Sequence, residues 1–307
     1  MLRKGFEVGR SVHKFYYPKS IPEIRKSNSG SKRGLCVVTV RAVVFDFIGT
    51  LTNVKDYSME DSRKKLCKAI KAEGFDVEET SFSEAYSRAH EKYRVIRYQE
   101  LVEVTNAVWI SEALNNLGLR TSPDDVRIKT ALNIFFEDYV KSFELRPCAW
   151  ELLRKVSTDF KLGLTSNFTY APVIYVALRR LAINKFFNAV LVSADVGWRK
   201  PSKRIFEEAL RRLGVRPEET VYVGDSPLED IQGAEALGIK TVFVPSQFYS
   251  LEFLHENQIV PDLIVKDICE LYHKVEQFSS NVGNTANKTH QNSSQSAQRN
   301  GGAAAEI

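Results

Sequence analysis

Short β-branched runs alternate with helical patterns along most of the chain. The runs are Val43 to Phe45, Lys161 to Thr165, Ala189 to Val192, Val221 to Val223, Thr241 to Val244 and Leu263 to Val265. Continuous apolar runs of this length, separated by helices, predict a parallel sheet buried on both faces, hence a doubly wound, Rossmann-like α/β core. One intervening helix is sharply marked. Ile205, Phe206, Ala209, Leu210 and Leu213 share a face, Gly214 follows as a stop signal, and Glu207, Glu208, Arg211 and Arg212 point outward.

The interval from 56 to 145 interrupts the alternation with helical patterns alone. Ser58 with Asp61, Ser81 with Glu84, and Ser122-Pro123 with Asp125 read as helix starts. Phe82, Tyr86, Ala89, Tyr93 and Ile96 form one apolar stripe, and Ile128, Leu132, Phe135 and Tyr139 form another. With Val108 to Leu117, four helices are predicted. An insert placed after the first strand would lie beside the carboxyl ends of the strands, where such sheets bind ligands, and could serve as a lid. The predicted organisation is therefore a core of residues 39–55 and 146–278 with a helical cap over 56–145.

Composition changes this picture mainly at the ends. The 307 residues carry a net charge of +5, but residues 1–38 hold nine Lys or Arg and two Glu, leaving −2 for the remainder. The positive charge thus belongs to an N-terminal arm expected to be disordered, and nucleic-acid binding by the folded part is not expected. Residues 279–307 are a polar Asn, Ser, Gln and Gly tail, also expected to be disordered. Cys36, Cys67, Cys148 and Cys269 form no CxxC pair, so neither a zinc site nor a disulfide framework is suggested, and a reducing cytoplasm fits best. No apolar run approaches the ~20 residues of a membrane span. Oligomeric state leaves no signal.

Four segments at predicted strand ends carry candidate chemistry. In Val43-Val44-Phe45-Asp46-Phe47-Ile48-Gly49-Thr50-Leu51, a carboxylate leaves a buried strand and enters a glycine turn. Thr165-Ser166-Asn167 ends a strand in a hydroxyl and an amide, neutral donors suited to an anionic oxygen. In Trp198-Arg199-Lys200-Pro201, the proline disfavours helix at Lys200, so the cation projects from a loop. Val221-Tyr222-Val223-Gly224-Asp225-Ser226-Pro227-Leu228-Glu229-Asp230 delivers a second carboxylate and a third five residues on. Carboxylates converging from different strands favour a hard cation such as Mg2+.

The order and spacing of these segments resemble the haloacid dehalogenase superfamily over about residues 41–278. That resemblance implies Asp46 as covalent nucleophile and metal ligand, and Ser166 and Asn167 as phosphate-site residues. It implies Lys200 as the bridge between nucleophile and phosphate, Asp225 and the Ile48 carbonyl as further Mg2+ ligands, and Asp230 in or near the second shell. The insert resembles the cap of such hydrolases. The Asp-Phe-aliphatic-Gly-Thr-Leu motif is similar to that of archaeal-type phosphatases of small phosphorylated metabolites such as glyceraldehyde 3-phosphate.

One departure matters. Family phosphatases carry a second Asp, a general acid and base, where this chain has Ile48. That loss should slow the reaction by ~10²–10⁴ without abolishing it. Thr52, Tyr98 or water could supply the proton instead. The departure also keeps open a 2-haloacid dehalogenase using Asp46, since halide leaves without a proton, and a binding protein that has lost the chemistry. Metal-type carboxylates at Asp225 and Asp230 favour phosphoryl transfer, which is chiefly a problem of charge neutralisation. Arg94 and Arg97 are expected mostly as solvated helix charges, and none of the five histidines falls in the four segments.

Overall fold

The structure is a computed structural model that describes residues 39–274. The expectations for the N-terminal arm and the polar tail lie outside the described residues. In chain order the elements are β1 (Ala42–Phe45), β2 (Thr52–Val54), α1 (Met59–Ala72), α2 (Glu79–Glu100), α3 (Asn106–Asn116), α4 (Val126–Ser142), β3 (Phe143–Leu145), α5 (Ala149–Val156), β4 (Lys161–Ser166), α6 (Ala171–Arg180), β5 (Ala189–Val192), α7 (Ser193–Val196), α8 (Lys203–Leu213) and β6 (Thr220–Gly224). A π-helical turn over Pro227–Gln232 runs into α9 (Gly233–Glu235), followed by β7 (Lys240–Phe243), α10 (Leu251–Glu256), β8 (Leu263–Ile264) and α11 (Ile268–Lys274).

All six predicted strands form one parallel sheet in the order β5-β4-β1-β6-β7-β8, with helices on both faces. The fold is α/β and doubly wound. β1 sits at the centre and is buried along its whole length. Val43 and Phe45 join one core cluster while Ala42 and Val44 join another, as the pleat requires. Helix α8 buries the five predicted residues and ends at Gly214 with φ 64°, a left-handed stop that glycine adopts without strain.

The four predicted insert helices are α1 to α4, but two of their starts differ from expectation. Ser58 does cap α1, accepting from the Asp61 N–H at 3.2 Å. Helix α2 begins earlier, because the Glu78 carboxylate accepts from the N–H groups of Thr80 and Ser81, leaving Ser81 inside the first turn. Asp125, not Ser122, caps α4, because Ser122-Pro123 makes the preceding turn and Asp125 accepts from the Arg127 N–H. The insert leaves and re-enters the core through β2 and β3, an antiparallel pair too short to announce itself in the sequence.

An aromatic seam seats the insert on the core loop that follows β4. Tyr57 meets Tyr139 with centroids 4.6 Å apart, Tyr139 stacks on Phe168 at 5.6 Å, and Phe136 stacks on Tyr170 at 5.6 Å. One continuous apolar cluster runs through both parts.

The cysteines correct an expectation. Cys148 and Cys269, 121 residues apart, form a disulfide joining the start of α5 to α11. Spacing gave no warning because the pair is created by helix packing at long range, which sequence proximity does not encode. Cys67 is a buried free thiol.

Candidate active site

The parallel sheet delivers the carboxyl ends of β1, β4 and β6 side by side. Asp46 follows β1, its backbone N–H donating to Val223 O of β6 at 2.9 Å, so the nucleophile candidate is locked in register with the strand that precedes Asp225. Gly49 then turns the chain with φ +96°. A Cβ there would stand 2.2 Å from Oδ2 of Asp225, so glycine is required for both the turn and the approach. Gly49→Ala is expected to destabilise the fold by roughly 1–3 kcal/mol. It should also displace Asp225, weakening any divalent-cation binding; calorimetric Mg2+ titration beside thermal unfolding checks both effects.

Lys200 lies 1% exposed at the centre of the site, far from the solvated lysine that a loop cation usually is. Its Nζ donates to Asp46 Oδ1 and Asp230 Oδ1, each at 2.6 Å, and lies within reach of the Tyr222 hydroxyl at 3.1 Å and the Thr165 carbonyl at 3.3 Å. Burial pulls the ammonium towards neutrality, but the flanking carboxylates of Asp230 and Asp46 outweigh it and raise its pKa well above the ordinary lysine value. Lysine is therefore the fixed charge of the site.

Carboxyl oxygens of Asp46, Asp225 and Asp230 all lie within 4.8 Å of one another, and the three residues are buried. Burial raises the pKa of Asp46 to about 6, with Lys200 opposing. Asp225 is raised well above the carboxylate range by burial and by the charges of Asp46 and Asp230; hydrogen bonds from Ser246 and Thr50 oppose this. Three carboxylates against one contacting ammonium leave uncompensated negative charge in a dry site, an arrangement that a hard divalent cation neutralises. The Asp46 oxygen not held by Lys200, Oδ2, is buried without a hydrogen-bond partner. The cluster of three buried carboxylates thus fits a magnesium ion, and Oδ2 is the Asp46 oxygen left without a side-chain contact.

The other predicted residues find varied places. Ser166 ends β4, buried, one residue beyond the carbonyl that Lys200 reaches. Asn167 faces the lysine loop: its Oδ1 accepts from the Lys200 N–H at 2.8 Å, and its Nδ2 donates to the Lys200 carbonyl and to Glu229 Oε2, both at 3.0 Å. Its amide is engaged in positioning Lys200. Asp230 is more central than expected: it holds Lys200 while its Oδ2 accepts from the Ser226 N–H. Ile48 lies half-buried between Asp46 and Gly49 and packs on the core. Of the alternative proton sources, Thr52 donates its hydroxyl to Phe47 O at 3.0 Å, and the Tyr98 ring covers the Arg199 guanidinium at 4.0 Å.

Several neighbours escaped the sequence reading. Ser246, just after β7, donates to Asp225 Oδ2 at 2.6 Å, and Thr50 donates to Oδ1 at 3.1 Å. Tyr222, on β6, donates to Asp230 and shares a hydrogen bond with Thr165. Arg199 pairs with Glu229 at 2.9 Å. Ser246 was within reach of the rule already used, since it too stands beyond the carboxyl end of a strand. Arg97 corrects an expectation: it is buried and donates to Glu103 at 2.5 Å, because the loop after α2 folds back and brings Glu103 beneath it. Arg94 pairs with Glu91 on its own helix.

Comparison with known proteins agrees with this geometry. A family model described as haloacid dehalogenase-like hydrolase matches residues 40–238. The chain is 31% identical over 248 residues to a glyceraldehyde 3-phosphate phosphatase of Methanopyrus kandleri, covering 78% of this chain and 99% of that one. It is 28% identical to a ribulose-1,5-bisphosphate 5-phosphatase of Halopiger xanaduensis over 67% of this chain and 85% of that one. Among solved structures, a 2-haloacid dehalogenase of Pseudomonas syringae shares the fold, with TM-score 0.57 and 21% identity over 78% of this chain and all of that one. With the family match spanning most of the described residues and the acidic cluster at its strand ends, the chain belongs to the haloacid dehalogenase-like hydrolases.

Proposed function

We propose that the protein is a Mg2+-dependent phosphatase of small phosphorylated metabolites, acting through an aspartyl-phosphate on Asp46. The observation that carries this reading is the convergence of Asp46, Lys200, Asp225 and Asp230. The ion would be held by Asp46 and Asp225, with the Ile48 carbonyl as a further ligand and Asp230 behind them. It would supply charge neutralisation for the phosphoryl oxygens. Relatives whose names specify glyceraldehyde 3-phosphate and ribulose bisphosphate support a short sugar phosphate as substrate.

The residues divide the work. Lys200 holds Asp46 Oδ1 and thereby aims the unpartnered Oδ2 at phosphorus; Ser166 donates to a phosphoryl oxygen. Oδ2 attacks in line, the P–O bond to the leaving oxygen breaks as a water molecule protonates it to the alcohol, and a further water then hydrolyses the acyl phosphate, releasing inorganic phosphate and regenerating the carboxylate. Helices α1 to α4, acting as the cap, exclude bulk water during transfer. The proposal includes a cytoplasmic setting; among the described residues no helix is long and apolar enough to cross a membrane. A Cys148–Cys269 bridge would meet reducing conditions there.

The test is phosphate release from a panel of sugar phosphates with Mg2+ and with chelator, beside halide release from 2-haloacids. Metal-dependent phosphate release is expected. Metal-independent halide release would favour the dehalogenase, the reading that Ile48 keeps open, and neither product would favour a binding protein. Ile48→Asp is expected to raise phosphatase turnover by as much as ~10²-fold, since general acid–base help is worth ~10²–10⁴ where geometry is ideal. Steady-state kinetics of the variant check this, and an unchanged rate would remove Ile48 as the cause of slow turnover.

A further inference from the structure

Arg146 lies in none of the four motif segments, and the proposed reaction does not use it. It directly follows β3, where the insert re-enters the core, and is half-buried. Its guanidinium joins two loops that are distant in sequence: Nη1 donates to Gly49 O at 2.7 Å and Nη2 to Pro245 O at 2.9 Å. The Arg146 backbone N–H adds a third tie, to Leu51 O at 3.0 Å. Burial lowers the pKa of the guanidinium, opposed by the fields of Asp225 and Asp267, yet both of these hydrogen bonds go to carbonyls and not to either carboxylate. Desolvating a cation is costly, so one spent on two carbonyls calls for a reason.

Each of those carbonyls immediately precedes a residue that holds Asp225. Thr50 follows Gly49 and donates to Asp225 Oδ1 at 3.1 Å, and Ser246 follows Pro245 and donates to Oδ2 at 2.6 Å. The Ser246 hydroxyl is itself aimed. Its oxygen accepts from the N–H groups of Phe248 at 2.9 Å and Tyr249 at 3.2 Å, which occupies both lone pairs and leaves the single O–H for Asp225. The next residue, Gln247, fastens the same loop to β2: the Val54 N–H donates to its Oε1 at 2.9 Å, and its Nε2 donates to Val54 O at 3.1 Å. Arg146 then fastens that loop to the Gly49 turn. Because the guanidinium is a rigid planar fork, bonds from both of its arms fix the separation of the two carbonyls, and with it the separation of the hydroxyls one residue on.

We propose that Arg146 is a positioning residue for Asp225: its fork sets the distance between Thr50 and Ser246 and so aims both oxygens of the carboxylate that takes the divalent cation. This deepens the metal-dependent reading of the site and rests on it. Two other roles for the arginine predict different outcomes. If it acted through its charge, it would compete with Mg2+, and removing it would tighten metal binding. If it were only a staple between β3 and the core, its loss would lower stability and leave the metal affinity of the folded chain unchanged. Positioning alone predicts weaker binding that depends on the two hydroxyls.

The test is calorimetric Mg2+ titration of the full-length chain and its Arg146→Met and Arg146→Lys variants, beside unfolding midpoints in chelator. Both variants should bind Mg2+ roughly 10-fold more weakly, the lower end of the range for groups that orient metal ligands. Lysine keeps the charge but not the fork, and as the milder change it serves if the methionine chain does not fold. In a Thr50→Val, Ser246→Ala background, which lacks both donors, adding Arg146→Met should weaken binding by less than about twofold, because the path through which the arginine acts is already gone. Arg180→Met is the structural comparison: Arg180 donates to Lys141 O and Phe143 O at the start of β3, so its loss should lower the midpoint without altering Mg2+ affinity. Unchanged or tighter binding by Arg146→Met, a full loss that persists without the two hydroxyls, or an equal loss in Arg180→Met would overturn the proposal. Should the wild type bind no Mg2+, the metal reading fails separately, and the midpoints in chelator decide. Arg146→Met and Ser246→Ala should then lower them by less than the sum of their single effects, and strict additivity would overturn the coupling.

Discussion

Replacing Asp46 by Asn is expected to lower phosphate release by about 10⁴-fold or more while leaving the fold at least as stable as before. Loss of activity follows because the carboxamide has no anionic oxygen to form the acyl phosphate, and neither neighbouring carboxylate is placed to take over its role. Asp225 is held by Thr50 and Ser246, and Asp230 by Lys200 and Tyr222. The stability side is less obvious. Asp46 is buried, its pKa is raised to about 6, and one oxygen has no partner, so the carboxylate is costly to the ligand-free fold. A neutral isostere lifts that cost, and Lys200 keeps Asp230 as its counter-charge. Single-turnover phosphate release and thermal unfolding, measured on one preparation, check both halves. Substantial residual turnover with a small phosphomonoester would show that another group attacks phosphorus.

The expected contrast between chemistry and stability depends on details that the sequence carried unevenly. The six strands were legible because parallel strands buried on both faces read as unbroken apolar runs, and α8 was legible because its stripe and its Gly214 stop agree. Asp46 and Asp225 could be found because each stands at a strand end, and topology brings strand ends together; Lys200, in the loop after α7, could be found from the proline that follows it. What surrounds them could not. Tyr222 looks like one more apolar strand residue until its hydroxyl is seen between Thr165, Lys200 and Asp230. Nothing in the motif shows that the Asn167 amide also clasps the backbone of the lysine loop. The Arg97–Glu103 pair and the Cys148–Cys269 bridge each depend on how the chain folds back, which periodicity does not encode. Ser81 and Ser122 failed as helix caps because a neighbouring carboxylate accepts from the first N–H groups more strongly than a hydroxyl does.

Lys200→Met should do what Asp46→Asn does not, removing activity and stability together. The ammonium is the cation in direct contact with Asp46 and Asp230, and a thioether of similar length fills its space without its charge. Two buried carboxylates then face each other, with Asp225 within 4.8 Å of both. Breaking a buried ion pair from one side costs about 3–5 kcal/mol because the abandoned charge stays desolvated. For a domain of this size that is a fall of roughly 6–20 °C in unfolding midpoint. The variant should also respond to Mg2+ more steeply than the wild type, since the ion then takes over the compensation that Lys200 gave Asp46 and Asp230. Saturation at 100 times the dissociation constant would restore about 2.7 kcal/mol. Turnover should not return with stability, because the metal cannot replace the hydrogen bond that aims Asp46. Unfolding midpoints with Mg2+ and with chelator, for wild type, Asp46→Asn and Lys200→Met, separate these effects. A Lys200→Met protein as stable as the wild type in chelator would show that the lysine does not hold the carboxylates together.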